Sequence, residues 1–178
     1  MKTIDKYLFQ ALDNYPYWLE GTIESLDYAF SYNDTNTMVL CLYGRIQAEQ
    51  LWNYEDAKSY FQQALAINIH ALEVYPYYLQ TLILNEDYEE AQKLIDFALT
   101  IKGINKSEIY VKKAILNEAQ HQFKKALGAI KNAKLCTLQF AFDSDISEVE
   151  KRILGKIDLL KKKNKSKKSK KDSKKKSK

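Results

Sequence analysis

Tyr54–Leu65, YEDAKSYFQQAL, and Tyr88–Leu99, YEEAQKLIDFAL, begin 34 residues apart. They agree at five of twelve positions, and a sixth exchanges Asp for Glu. Beginning 35 residues after Tyr88, Phe123–Lys134 (FKKALGAIKNAK) keeps the aromatic start and the same small and large positions. Ala57, Phe61 and Ala64 thus align with Ala91, Ile95 and Ala98, and with Ala126, Ile130 and Ala133. A weaker copy lies upstream in Leu19–Phe30 (LEGTIESLDYAF), with Leu26, Ala29 and Phe30 in register. A small residue, a large one four positions on and a small one three further on share one face of a helix. Small residues admit a neighbouring helix, and the large one fills the remaining gap.

Each of these segments follows another apolar stretch: TMVLCLYGRIQAEQLW, ALEVYPYYLQTLILNE or SEIYVKKAILNEAQ. Short polar breaks such as NEDYEEA separate the members of a pair. The unit is a helix pair that cannot bury its apolar side alone and must stack on its neighbours. With five Gly and two Pro among 178 residues, the chain is well supplied for long helices and poorly for tight β turns. The length predicts one domain rather than two.

The aromatic, small, large, small series at a period of 34 resembles the second helix of the tetratricopeptide repeat (TPR), and the resemblance covers residues 15–138. In its first helices, Cys41, Tyr75 and Tyr110 stand where the family favours Trp. Gly44-Arg45, Tyr78-Leu79 and Lys113-Ala114 replace its Leu-Gly pair, and Ile69, Gly103 and Leu138 its closing Pro. The resemblance implies an all-α, right-handed α-solenoid of about four TPR-like helix pairs, filling residues 1–142. It also implies a concave groove lined by the first helices, carrying over to Val39, Leu42, Ile46 and Glu49. The second set is Glu73, Pro76, Gln80 and Ile83, and the third is Glu108, Val111, Ile115 and Glu118. Such a groove, apolar in its middle with carboxylates near its ends, suits a peptide or helix of another protein with hydrophobic anchors and some basic residues. The Lys, Asn and Arg set with which some family members clamp a C-terminal carboxylate is missing.

The ends are expected to act as caps. KTIDKYLFQALDN predicts a first helix, with Asn14 as N-cap and Pro16 in the first turn of a second; Pro76 falls in the first turn of its own helix. DSDISEVEKRILGKIDLL predicts a C-terminal capping helix over residues 143–160, opened by Asp145 and Glu148 in capping-box spacing. Its Ile146, Val149, Ile153, Ile157 and Leu160 share one face, which either covers the last repeat or docks another chain.

Among thirteen tyrosines, Tyr54, Tyr75, Tyr88 and Tyr110 fall at packing positions, leaving Tyr17 and Tyr77 to meet a partner. No phosphate-cradling Gly loop is present, His70 and His121 stand isolated, and Cys41 and Cys136 make no CxxC. No catalytic, metal or cofactor site is predicted, so the chain reads as non-enzymatic. The N-terminus lacks a secretory h-region and Met38–Tyr43, the longest strongly apolar run, is too short to span a bilayer, so a cytoplasmic protein is expected.

The formal charge of +5 hides a division. Residues 161–178 hold twelve Lys and one Asp, a net of +11. Removing these from 28 basic and 23 acidic side chains leaves 16 and 22, a net of −6. The tail has no apolar residue and is expected to be disordered. Lys161, Lys162, Lys163, Lys165, Lys167 and Lys168 can each neutralise a phosphate, as can Lys170, Lys171, Lys174, Lys175, Lys176 and Lys178. The alternative function is therefore a nucleic-acid- or ribosome-associated protein whose repeats recruit a protein partner. Anionic membrane is a weaker target, since no lipid anchor accompanies the charge. Phosphorylation of Ser166, Ser169, Ser173 or Ser177 would lower that charge.

Overall fold

A computed structural model describes residues 5–137 and 143–175, with side-chain detail at 5–137 and 144–162. Leu138, Lys176 and Lys178 lie outside the described residues, as do the side chains of the lysines from Lys163 to Lys175. The described residues form helices and connecting turns, with no strand. They are α1 (Lys6–Asn14), α2 (Leu19–Tyr32), α3 (Thr37–Arg45), α4 (Tyr54–Ile67) and α5 (Val74–Leu84). Then follow α6 (Tyr88–Ala98), α7 (Lys106–Ala119), α8 (Phe123–Cys136) and α9 (Asp143–Lys175).

Four helices open on polar caps that satisfy otherwise orphaned N–H groups. Asp5 accepts from the N–H groups of Tyr7 and Leu8, Asn36 from Met38, Asn53 from Asp56, and Asn105 from Glu108. The hairpins α3–α4, α5–α6 and α7–α8 close through a non-glycine residue in left-handed backbone at one register: Trp52, Glu86 and His121, each two residues before the second helix. In the latter two the chain turns back in a Schellman pattern. The N–H of Asp87 bonds the carbonyl of Leu82, and that of Gln122 the carbonyl of Asn117.

The repeated face is the core. Ala57, Phe61, Ala64, Ala91, Ile95, Ala98, Ala126, Ile130 and Ala133 are all buried, as are Leu26 and Ala29 of the weaker copy. The chain divides into two compact units, Met1–Ile104 and Asn105–Lys178, rather than the single domain its length suggests. The boundary follows the loop where Gly103 takes φ +89°, inside what the sequence reading treats as one repeat domain. In the first unit, α1 packs on α2, α3 on α4 and α5 on α6, while α3 also touches both α1 and α5. In the second, α9 lies against both α7 and α8.

Local expectations at the ends are corrected. Asn14 is the last residue of α1, not an N-cap. Its carbonyl accepts from Tyr17 and Trp18, leaving Pro16 in the connecting turn. Pro76 is the third residue of α5, as expected. The α9 helix starts at Asp143, so Asp145 sits in its first turn, not at its cap. It also runs through Leu160 to Lys175, where a disordered tail was expected from Lys161. No Gly or Pro follows Gly155, and Lys is a good helix former, so nothing in the chain marks a stop.

A π-helical turn, Ile46–Gln50, extends α3, and the N–H of Leu51 bonds the carbonyl of Ile46 five residues back. Such a turn adds one residue to a helix. That insertion shifts the register of the preceding residues. Gly44, Leu79 and Ala114, spaced by 35, are all buried first-helix positions. A methyl group at Gly44 would lie 2.7 Å from the Phe61 ring. Gly44 is therefore the close-approach position of its pair, one place before the Arg45 that a strict period of 34 selects.

Candidate binding surface

On α3 the one-residue shift separates the side chains packed in the core from those that line a cavity, with Leu42 belonging to both sets. Val39, Leu42 and Ile46, assigned to the groove by the resemblance, are buried against Leu8, Ala11 and Tyr15 of the α1 hairpin. Moving one place back gives Met38, Cys41 and Arg45. These three, with Leu12, Leu42, Glu73 and Tyr77, line a cavity of about 180 Å³ within the first unit. The missed signal was the glycine. Counting 35 residues back from Leu79 would have placed Gly44 in the narrow contact and moved the whole set.

The cavity is floored by apolar atoms and edged by two charges of different status. The Arg45 guanidinium lies 4.6 Å from the Tyr15 ring centre and 4.2 Å from that of Tyr77. Its Nε is 3.4 Å from Glu49 Oε1, and the Tyr15 hydroxyl donates to Glu49 Oε2. Burial would lower the Arg45 pKa, but Tyr77 and Glu49 outweigh it and hold the guanidinium firmly charged. Burial and the Glu49 hydrogen bond push the Tyr15 phenol up to about 12. Arg45 and Glu49 are thus spent on structure. Glu73 is exposed, and no cation among the described residues pairs with it. Only a long contact from the Thr37 hydroxyl, at 3.5 Å, reaches its carboxylate.

Cys41 is the one side chain here with latent nucleophilicity. Burial pushes its thiol up to about 12, so at neutral pH it is a protonated apolar wall, not a thiolate. Of the other predicted positions on α5, Pro76 and Ile83 are buried and Gln80 is half-buried. Tyr17 is 93% exposed, whereas Tyr77 is half-buried under Arg45.

In the second unit the corresponding surface is occupied. Val111 and Ile115 of α7 pack on the cluster that contains Ile146, Val149 and Ile153 of α9. Glu118, 3% exposed, accepts three hydrogen bonds of 2.7–3.2 Å from Arg152, and Lys156 approaches it to 2.7 Å. Burial would raise the Glu118 carboxyl, but the hydrogen bonds from Arg152 and Lys156 hold it below the usual carboxylate range. Glu108 lacks such a clasp, and burial raises its carboxyl, with Lys112 and Asp145 opposing one another as smaller influences. On the apolar face of α9, Ile146, Val149 and Ile153 are buried against the last helix pair and Ile157 partly so, whereas Leu160 is exposed.

Among the described residues, no three His, Cys, Asp or Glu side chains gather to hold a metal ion, and no helix is long and apolar enough to cross a membrane. No family model matches the chain, and no curated protein shows significant similarity to it.

Proposed function

We propose that the chain is a non-enzymatic, cytoplasmic protein–protein interaction scaffold built on TPR-like solenoid stacking, and that the first unit holds a peptide or helical segment of a partner. The cavity between α1, α3 and α5 carries this reading. Its volume slightly exceeds the roughly 150 Å³ apolar cavity that accepts a benzene ring, so one large apolar side chain fits. Glu73 at its edge is free to meet a Lys or Arg. Contacts of α3 with both α1 and α5 fit a stack in which successive first helices adjoin, as the family resemblance implies. In the second unit α9 packs on the first helix α7, whereas in the first unit the α1–α3–α5 side holds the cavity. Two cysteines without a disulfide suit a reducing compartment.

Selection of a displayed random-peptide library on the immobilised chain tests this. Enriched peptides should share one bulky apolar residue with Lys or Arg nearby. Met38→Asp, at a position 43% exposed and outside the buried core, should abolish the enrichment. Enrichment that is indifferent to Met38→Asp, or selects acidic peptides, would remove the cavity as the binding site.

A further inference from the structure

Charge and aromatic surface divide between the two units. Residues 1–104 hold 15 acidic and 6 basic side chains, a net of −9. Residues 105–160 hold 10 basic and 7 acidic, a net of +3, and residues 161–178 add +11. Exposed large aromatic side chains belong to the first unit: Tyr17, Trp18, Tyr32 and Trp52 are the most open. Among the described residues of the second unit, no large aromatic is exposed.

The lysines of the second unit differ in what they do. Lys134 and Lys156 are tied to Glu150 and Glu118. Lys124, Lys125 and Lys131 on α8 and Lys151 on α9 are exposed, and no carboxylate among the described residues pairs with them. They stand on the same compact body from which the lysine tail continues.

We infer that the second unit, with α8 lysines and tail acting together, binds the phosphate backbone of double-stranded nucleic acid. Lysines act as point charges on phosphates, and a duplex offers one charge per roughly 1.7 Å of axis, so release of counterions drives the association. Among the described residues of the second unit no Phe, Tyr or Trp ring is exposed as a platform on which unpaired bases could stack, which favours duplex over single strand. Contacts of this kind position a protein without reading sequence. Anionic lipid is the less suited polyanion. Ile146, Val149 and Ile153 are already buried against α7 and α8, and no apolar residue stands between Leu160 and Lys178 among the tail lysines.

Fluorescence anisotropy with a short labelled DNA duplex, using the full chain, tests the inference. Affinity should fall by about 10³-fold or more between about 50 and about 200 mM salt, as for six or more phosphate contacts. Changing all twelve tail lysines to serine should flatten that dependence. Lys124→Glu, Lys125→Glu and Lys131→Glu together should weaken binding about tenfold or more, with the helical circular-dichroism signal unchanged. Met38→Asp should bind duplex like the parent chain, so failure of the peptide site and failure of this one are distinguishable. Several results would overturn the inference: no duplex binding at low salt, tighter binding to single strand, or capture by phosphatidylserine vesicles with none by duplex. An α8 triple variant within twofold of the parent chain would do so as well.

Discussion

Gly44 and Gly128 both sit inside helices, yet their surroundings ask opposite things of them. A Cβ at Gly44 would meet the fully buried Phe61 ring at 2.7 Å, whereas one at Gly128 meets nothing within 4 Å. Gly44→Ala should therefore cost about 1–3 kcal/mol by overpacking, while Gly128→Ala should gain about 0.5–1 kcal/mol from helix propensity. Urea unfolding of the two variants, side by side, checks both signs; equal effects would mean that Gly44 is not the close-approach residue. Glu86 offers a second test. Its φ of 63° places an exposed, non-glycine side chain in left-handed backbone. Glu86→Gly should stabilise by about 0.5–1 kcal/mol, the relief of left-handed strain outweighing glycine's added chain entropy. These left-handed positions were invisible in the sequence, because Trp52, Glu86 and His121 share no turn-forming chemistry. The alanines were legible, because a small residue repeated at helical spacing has few other uses.

Helices were the most legible features, and their ends and registers the least. The second helices α4, α6 and α8 begin at Tyr54, Tyr88 and Phe123, the very residues that open each repeated phrase. The first helix α3 misled by one residue, since a π-helical turn leaves no compositional trace and shifts Met38, Cys41 and Arg45 into the places assigned to Val39, Leu42 and Ile46. The packing of Ile146, Val149 and Ile153 of α9 was readable from its apolar stripe, but its clasp on Glu118 was not, because Arg152 lies 34 residues away in sequence. Ile153, fully buried, anchors that packing, and Ile153→Ala should cost about 2–4 kcal/mol. Glu118 makes the docking pH-dependent. Its folded-state pKa lies below the unfolded one, so its contribution is complete above the usual carboxylate value of about 4.3 and is lost as pH falls through the lower folded value. Glu108 opposes this, since its raised pKa gives a contribution lost as pH rises. Urea midpoints of the parent chain and Glu118→Gln from about pH 3 to about pH 7 separate them: the difference should be largest near neutrality and shrink in acid. A difference constant with pH would rule out the charged clasp.

Taken as a whole, the molecule places its chemistry in two compact units of opposite charge. The sequence made the +11 of the tail plain, but only the division at Ile104 shows that the acidic side chains gather in one body, at −9, while the other is basic even without its tail. The partner expected for the first unit is accordingly apolar and basic, and that for the second polyanionic. Met38 gives direct access to the first of these. The chain has two methionines, Met1 and Met38, so a methyl-labelled spectrum carries one signal from the cavity and one from the N-terminus. Titration with a peptide enriched by the chain should shift or broaden the Met38 methyl resonance in proportion to occupancy and leave that of Met1 in place. A Met38 resonance unmoved at saturating peptide would contradict the docking site between α1, α3 and α5.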